Sequence, residues 1–318
     1  MVEPTGPPVV VALGGNALIS DAEHASIPDQ YRAVCLIAPQ LVDVAESGHP
    51  LVVTHGNGPQ VGFILRRSEL SLSEVAPVPL DYAVGDTQGA IGHMFLMALR
   101  NELLRRGSKR SVVAIVTETL VDATDRAFAA PTKFVGAGFD EPTARHHAQA
   151  YGWTIAEDPP RGWRRTVASP DPVAILELET IRALAETGAI VIACGGGGIA
   201  VATRPDGVMH GVEAVIDKDL ASALLADRLG AATLCIPTSV ERVAIGFGTP
   251  DQRWIDRLTS AEATDLCRRG EFAAGSMGPK IEALLRFVGG GPARTGVVTS
   301  PIRLLDAIGG RAGTRITS

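Results

Sequence analysis

Three apolar, β-branched runs in this chain each end in a glycine loop, and each loop opens a helix-like stretch. They are VVVALGGNAL (9–18), LVVTHGNGPQVG (51–62) and AIVIACGGGGIA (189–200). A strand that feeds a helix through a glycine turn is the repeating unit of a parallel sheet, because a parallel neighbour can be reached only by a crossover. The remaining runs keep this rhythm. VVVAL (9–13), PLVVT (50–54), VVAIVTETLV (112–121), AIVIAC (189–194), ATLCIP (232–237), RVAIGF (242–247) and TGVVTS (295–300) read as strands. Helix-like patterns lie near 28–47, 59–72, 87–106, 173–187, 218–229, 260–269, 277–288 and 301–308. The strands do not alternate strictly between polar and apolar residues, so the expected fold is α/β, with a mostly parallel sheet covered on both faces. The length of 318 residues is enough to bury a large core.

One segment breaks the rhythm. From about Asp122 to Pro172 the chain is rich in Pro, Gly, Arg and His and weakly periodic. A structureless loop of that length inside a compact domain is unusual unless it serves a function. It reads as a lid or small subdomain, with Phe139, Trp153 and Trp163 available for a small core of its own. His146 and His147 have no partner at metal-ligand spacing and are expected to be solvated.

Lysine is scarce. Of 29 basic residues only Lys109, Lys133, Lys218 and Lys280 are lysine. The last three sit in PTKFVG (131–136), VIDKDLA (215–221) and GSMGPKIEALL (275–285), beside glycines, carboxylates or predicted helix starts. An ammonium is a compact point charge, whereas guanidinium is a wide flat fork, so a chain that defaults to arginine uses lysine where the fork does not serve. In VIDKDLASALLADRLG, Asp217 can cap a helix and Gly230 can stop it, with Leu220, Leu224 and Leu229 marking a buried stripe. Lys218 and Asp219 then occupy the first turn, where Asp219 is suited to hold lysines in place. Ser276 can cap the helix that carries Pro279 and Lys280. Lysines at two helix N-termini, beside glycine loops whose backbone amides can approach an anion, form a phosphate clamp. The simpler reading of each feature alone is a turn, a capping acid or a surface lysine.

In HGNGPQVG, Gly58 can cap the helix and Pro59 suits its first turn, leaving the Asn57 amide free for a small carboxylate or carbamate. His55 reads as an anchor for the turn rather than a catalytic base. No P-loop, protein-kinase set, G-x-S-x-G, H-E-x-x-H or EF-hand loop is present. The net charge of −6 argues against general nucleic-acid or membrane-surface binding. The start, MVEPTGPP, shows no signal peptide, and the longest apolar stretch, 189–202, is too short to span a bilayer. Cys35, Cys194, Cys235 and Cys267 form no C-x-x-C pair and are expected to be buried thiols in a reducing cytoplasm, with no protein-built metal site.

Taken together, these loops resemble the carbamate kinases of the amino-acid kinase family. The resemblance runs almost end to end, through PLDYAVGDTQGAIGHM, VDATDRAFAAPTKFVG, GWRRTVASP, GGGGIAV, EAVIDKDLA, FAAGSMGPK and the final AGTRI. The combination of HGNGPQVG, PTKFVG and GSMGPK is its narrowest part. The resemblance implies a three-layer αβα sandwich forming one domain over 1–318, with the 122–172 lid inserted in it. It also implies a cytoplasmic homodimer and Mg²⁺-dependent, reversible phosphoryl transfer from carbamoyl phosphate to ADP, giving ATP and carbamate. By motif match, Gly14, Gly15, Asn16, Gly56, Asn57 and Gly58 face the carbamoyl group. Lys133, Lys218, Asp219 and Lys280 form the catalytic set. Gly195, Gly196, Gly197, Gly198, Thr238 and Met277 join Lys218 and Lys280 around the nucleotide. Cys194, where many members carry Ser, and the segment Thr238-Ser239-Val240-Glu241-Arg242 depart from the family pattern, and ISDAEHASIPDQ matches no part of it. Two alternatives stay open on this fold. One is a kinase for another small carboxylate, with Arg164 and Arg165 giving the extra contacts. The other is a non-catalytic nucleotide-binding protein.

Overall fold

The computed structural model describes residues 4–15, 18–19, 23–159, 161–273 and 275–318. Among them, eight strands form the central sheet. In spatial order they are Arg257–Thr259, Thr314–Thr317, Thr295–Thr299, Thr233–Pro237, Val9–Leu13, Leu51–His55, Ile190–Ile192 and Val112–Ala114. Thr295–Thr299 and Thr314–Thr317 are antiparallel, and every other neighbouring pair is parallel.

The period-two geometry of a strand divides the core. Val10, Ala12, Val52, Val191, Leu234 and Ile236 pack on one face against helices Leu178–Glu186, Lys218–Leu229, Ser260–Arg268 and Met277–Val288. Val9, Val11, Leu13, Val53, Ile190, Ile192 and Cys235 pack on the other against helices Ile27–Glu46, Leu80–Arg105 and Leu304–Ile308. Both faces are therefore apolar, and this is the three-layer αβα sandwich. Local chemistry sets the helix limits. Ser26 and Asp29 form a capping box at Ile27–Glu46, and Thr259 and Glu262 form another at Ser260–Arg268. Gly230 ends Lys218–Leu229 at φ 68°, a left-handed conformation that suits glycine.

Several sequence expectations need correction. The run 112–121 is two strands. Val112–Ala114 closes the central sheet, while Glu118–Val121 joins a second sheet with Ile199–Thr203, Met209–Gly211 and Pro172–Ile175. The chain turns at 115–117, where the Thr117 hydroxyl donates to the Ile115 carbonyl at 3.0 Å. The run 242–247 supplies only Val243–Ile245, paired with Arg253–Ile255 in a separate hairpin. Residues 173–175 are strand and the helix begins at Leu178, because the Glu177 carboxylate takes the Glu118 amide and fixes the chain there. In Lys218–Leu229 the fully buried leucine is Leu225, with Leu220 and Leu224 only partly covered. Cys35 is exposed and Cys267 only partly covered, so two of the four thiols, Cys194 and Cys235, are buried as expected.

Within 122–172, strands Lys133–Phe139, Trp163–Val167 and Thr154–Glu157 form an antiparallel sheet beside helix Glu141–Tyr151. Phe139 and Trp153 share a ring cluster with His147 and Tyr151; the His147 ring lies 4.8 Å from Phe139 and 5.0 Å from Trp153. His147 is thus packed rather than solvated, whereas His146 is exposed. Trp163 stands outside that cluster and carries the Arg145 guanidinium at 5.5 Å.

Phe95 is fully buried in the layer that backs the glycine loops. Phe95→Ala is expected to destabilise the protein by about 3–5 kcal/mol through lost burial and the cavity left behind. Phe247→Ala, at a side chain 64% exposed, should cost a small fraction of that. Chemical denaturation of both variants checks the contrast.

Candidate active site

Val9–Leu13, Leu51–His55 and Ile190–Ile192 are adjacent and parallel, so the three glycine loops leave the sheet at one edge. The first two touch. Gly56 N donates to the Leu13 carbonyl at 2.9 Å, and a Cβ on Gly56 would lie 2.7 Å from the Gly15 nitrogen. No side chain fits there. At Gly14 and Gly58 a Cβ would meet nothing within 4 Å, so their backbone borders open space. Asn16 lies outside the described residues. Asn57, not Gly58, is the residue preceding helix Gly58–Leu70, and its side chain makes no cap bond. It is buried, and its Nδ2 donates to the Thr87 hydroxyl at 2.8 Å.

The lysines gather beside these loops. Asp217 caps helix Lys218–Leu229 through Oδ1, which accepts the Asp219 amide at 2.9 Å. That cap places Lys218 and Asp219 at the start of the helix. Lys218 donates to Asp219 Oδ1 and, at 3.3 Å, to the Ala12 carbonyl at the end of the first strand. Lys280 Nζ donates to the other carboxylate oxygen, Asp219 Oδ2, at 3.1 Å. One buried carboxylate therefore joins two lysines from two helix starts. The third lysine reaches the same region from the three-stranded sheet, with Lys133 Nζ 3.0 Å from Asp217 Oδ2. Burial lowers the Lys218 pKa, although Asp219 opposes the shift. Burial pushes the Asp217 carboxyl up, but Lys133 and the helix amide outweigh it and hold the group below its ordinary value. Three ammonium groups against two carboxylates leave the cluster net positive.

The four-glycine loop packs behind Asn57. Gly195 to Gly198 are buried, and Cβ atoms there would strike His55, Asn57, the Ile216 carbonyl and the Thr119 hydroxyl respectively. His55 is buried, stacks on Phe95 at 5.9 Å, and donates from Nδ1 to the Gly56 carbonyl at 3.2 Å. Burial drives its pKa down to about 4, and the Lys218 charge adds to that. It is a neutral scaffold, which matches the anchoring role expected of it. Thr238 lies just past strand Thr233–Pro237, with its amide spent on the Thr299 carbonyl at 2.8 Å. Met277 begins helix Met277–Val288 and leans on the core. Ser276 precedes that helix without making a side-chain cap bond, because its backbone, at φ −141° and ψ −73°, is not in the capping conformation.

Arg164 and Arg165 are already committed. Arg164 bonds Asp158 at 2.7 Å and the Gly136 carbonyl at 2.9 Å, and Arg165 pairs with Glu213. A cavity of about 610 Å³ borders Arg165, Trp153, Leu65 and Val167, and none of the three clustered lysines lines it. The sequence reading missed Asp217 as a lysine partner, and it missed Thr87 and Gln88. Two adjacent polar residues on the largely apolar buried face of helix Leu80–Arg105 were the available signal.

Comparison with known proteins places the chain in a family. The amino acid kinase family model matches residues 7–298. This chain belongs to the amino acid kinase family. A carbamate kinase of Pyrococcus horikoshii is 44% identical, covering 97% of this chain and 98% of the relative. The carbamate kinase-like protein YahI of Escherichia coli is 45% identical over 97% of this chain and 98% of the relative. The solved structure of Giardia lamblia carbamate kinase bound to AMP-PNP superposes with a TM-score of 0.93 at 38% identity, covering 98% of this chain and 99% of that one.

The buried His55 carries a pH signature. Its folded pKa is depressed to about 4, so only the unfolded chain takes up this proton between about pH 6.5 and 4. Stability should therefore fall as pH drops through that window, by up to about 3 kcal/mol from this residue. His55→Gln should flatten that part of the stability–pH curve, read by urea denaturation at successive pH values.

Proposed function

We propose that this chain catalyses the carbamate kinase reaction, moving a phosphoryl group reversibly between carbamoyl phosphate and ADP. The observation that carries the reading is the Lys218–Asp219–Lys280 bridge, set beside open glycine backbone at the carboxyl edge of the sheet. The similarity to carbamate kinases over nearly the whole chain supports it. In the forward step the bond from phosphorus to the carbamate oxygen breaks, and a bond forms to a terminal oxygen of ADP. Such a transfer needs alignment and charge neutralisation and no covalent nucleophile from the protein. The leaving carbamate needs no proton, consistent with a neutral His55.

The proposal gives the residues these parts. Backbone at Gly14, Gly15, Gly56 and Gly58, with Asn16 and Asn57, holds the carbamoyl end. Lys218 and Lys280 face the transferring phosphoryl and nucleotide phosphates, and Asp219 orients both. Gly195 to Gly198, with Thr238 and Met277, flank the nucleotide. Lys133 leaves Asp217 for the phosphoryl as the 122–172 subdomain closes over substrate as a lid. Asp217 and Asp219 are taken up by lysines, and among the described residues no three His, Cys, Asp or Glu side chains gather to hold a metal. These residues do not fit a resident metal. Mg²⁺ is proposed to travel with the nucleotide as part of that substrate. The resemblance carries a homodimer and a cytoplasmic setting into the proposal; among the described residues no helix is long and apolar enough to cross a membrane.

A second reading is phosphorylation of another small carboxylate, with Arg164 and Arg165 giving the extra contacts. The commitment of Arg164 and Arg165 to Asp158 and Glu213 counts against it.

The deciding experiment is a luminescent ATP readout with ADP and carbamoyl phosphate, beside ADP-release assays on acetylglutamate, aspartate and glutamate. Rapid ATP formation with little amino-acid phosphorylation is expected; the reverse pattern overturns the assignment. In the same assay Lys218→Ala and Lys280→Ala should each lose about 10²–10³ in turnover, the scale of one transition-state charge contact. The arginine variants should not restore it, because the fork does not match a point charge.

The lid is tested separately. Lys133→Ala should raise the KM for carbamoyl phosphate more than it weakens ADP binding. Hydrogen exchange in 122–172 should slow when nucleotide and a phosphate analogue are both present. Equal exchange in both states would mean a static subdomain.

A further inference from the structure

Helix Leu80–Arg105 buries mostly apolar residues, among them Val84, Ile91, Phe95 and Leu99, yet Thr87 and Gln88 are only 1% and 5% exposed. Their bonds account for this. The Thr87 hydroxyl donates its single proton to the Val84 carbonyl at 2.6 Å. Towards Asn57 it can then only accept, and it takes the Asn57 Nδ2 proton at 2.8 Å. This decides which end of the Asn57 carboxamide faces the helix. Nδ2 is turned inwards, and the opposite edge, with Oδ1, is turned away from Thr87. Without the hydroxyl, the two ends of the amide differ little in shape and the group can flip.

The other side of Asn57 is fixed as firmly. A Cβ on Gly196 would lie 2.2 Å from Nδ2 and 2.8 Å from Oδ1, so the amide lies against bare backbone. That backbone is pinned by Gln88. Its Nε2 donates to the carbonyls of Thr117 at 3.0 Å and Gly195 at 3.1 Å, and its Oε1 accepts the Thr117 amide at 2.7 Å. The Thr117 hydroxyl in turn accepts the amide of Cys194, which at φ 50° is the only non-glycine residue with positive φ among the described residues. Adjacent residues of one helix thus hold the acceptor loop and the four-glycine turn in register.

We propose that Thr87 is a positioning residue that sets the orientation of the Asn57 carboxamide towards the carbamoyl group, with Gln88 fixing the glycine surface against which that amide rests. The inference rests on the role proposed above for Asn57. Thr87 touches no substrate and acts through Asn57. Its removal should therefore affect the carbamoyl side selectively.

Thr87→Val keeps the shape and removes the hydroxyl, and Thr87→Ser keeps the hydroxyl. Thr87→Val is expected to raise the KM for carbamoyl phosphate about tenfold with the KM for ADP unchanged, the equivalent of one lost or misdirected hydrogen bond. Thr87→Ser should stay within about twofold of the parent. Should the valine variant not fold, Thr87→Ala is read in its place. Equal loss in the Ser and Val variants, or an ADP effect as large as the carbamoyl phosphate effect, overturns the proposal. A parent protein that forms no ATP from carbamoyl phosphate would instead overturn the functional reading. In that case the side-chain amide resonances of Asn57 still test the positioning. Slow amide exchange in the parent that is lost in Thr87→Val supports it, and unchanged exchange refutes it.

Discussion

One carboxylate holds the lysine cluster of this protein together. Asp219 is buried, and each of its oxygens takes a lysine, Lys218 on one side and Lys280 on the other. Two ammonium groups drawn this close would repel strongly away from water, and the shared carboxylate makes their approach possible. The arrangement also binds two distant helix starts together. Removing one partner of such a buried set typically costs about 3–5 kcal/mol, because the remaining charges are left without compensation. Stability and the positive field at the site therefore share one interaction.

The sheet makes that interaction available. Parallel neighbours must release their loops at the same edge, so the turns after Leu13, His55 and Ile192 meet there by topology. Glycine is then required where two backbones meet, as at Gly56 against Gly15. Lys218 completes the junction by donating to the Ala12 carbonyl, tying the helix start to the end of the first strand. The site is held by backbone and by buried neutral groups, with His55 among them, so its positive charge comes from the lysines alone.

The 122–172 subdomain connects to this centre through acids on the segment leading into helix Lys218–Leu229. Glu213 pairs with Arg165, and Asp217 pairs with Lys133. Glu213 also accepts the Leu80 amide at the start of the helix that carries Thr87 and Gln88. Asp217 does two jobs at once: one oxygen caps a helix, and the other holds a lysine from another sheet. The subdomain and the clustered lysines are thus tied to the same short stretch of chain.

The sequence determined the α/β class, most of the central strands and the three lysines, Asp219 and glycine loops that gather at one edge. Those properties are local: glycine where backbone must bend, apolar runs for strands buried on both faces, and an acid beside a lysine at a helix start. Tertiary structure alone decided the rest. Residues 112–121 read as one strand because both halves are rich in β-branched residues, yet the bend at Thr117 sends Glu118–Val121 into another sheet. His147 sits in the weakly periodic stretch, and only the folded subdomain packs it against Phe139 and Trp153. Asp217 could be read as a helix cap, but its contact with Lys133 spans 84 residues of sequence. Thr87 and Gln88 gave no local signal beyond polarity, because their partners at 57, 117 and 195 come from three other elements. Spacing along the chain can predict a cap or a turn. It cannot predict which distant carboxylate a lysine will meet, since that depends on how the strands are ordered in space.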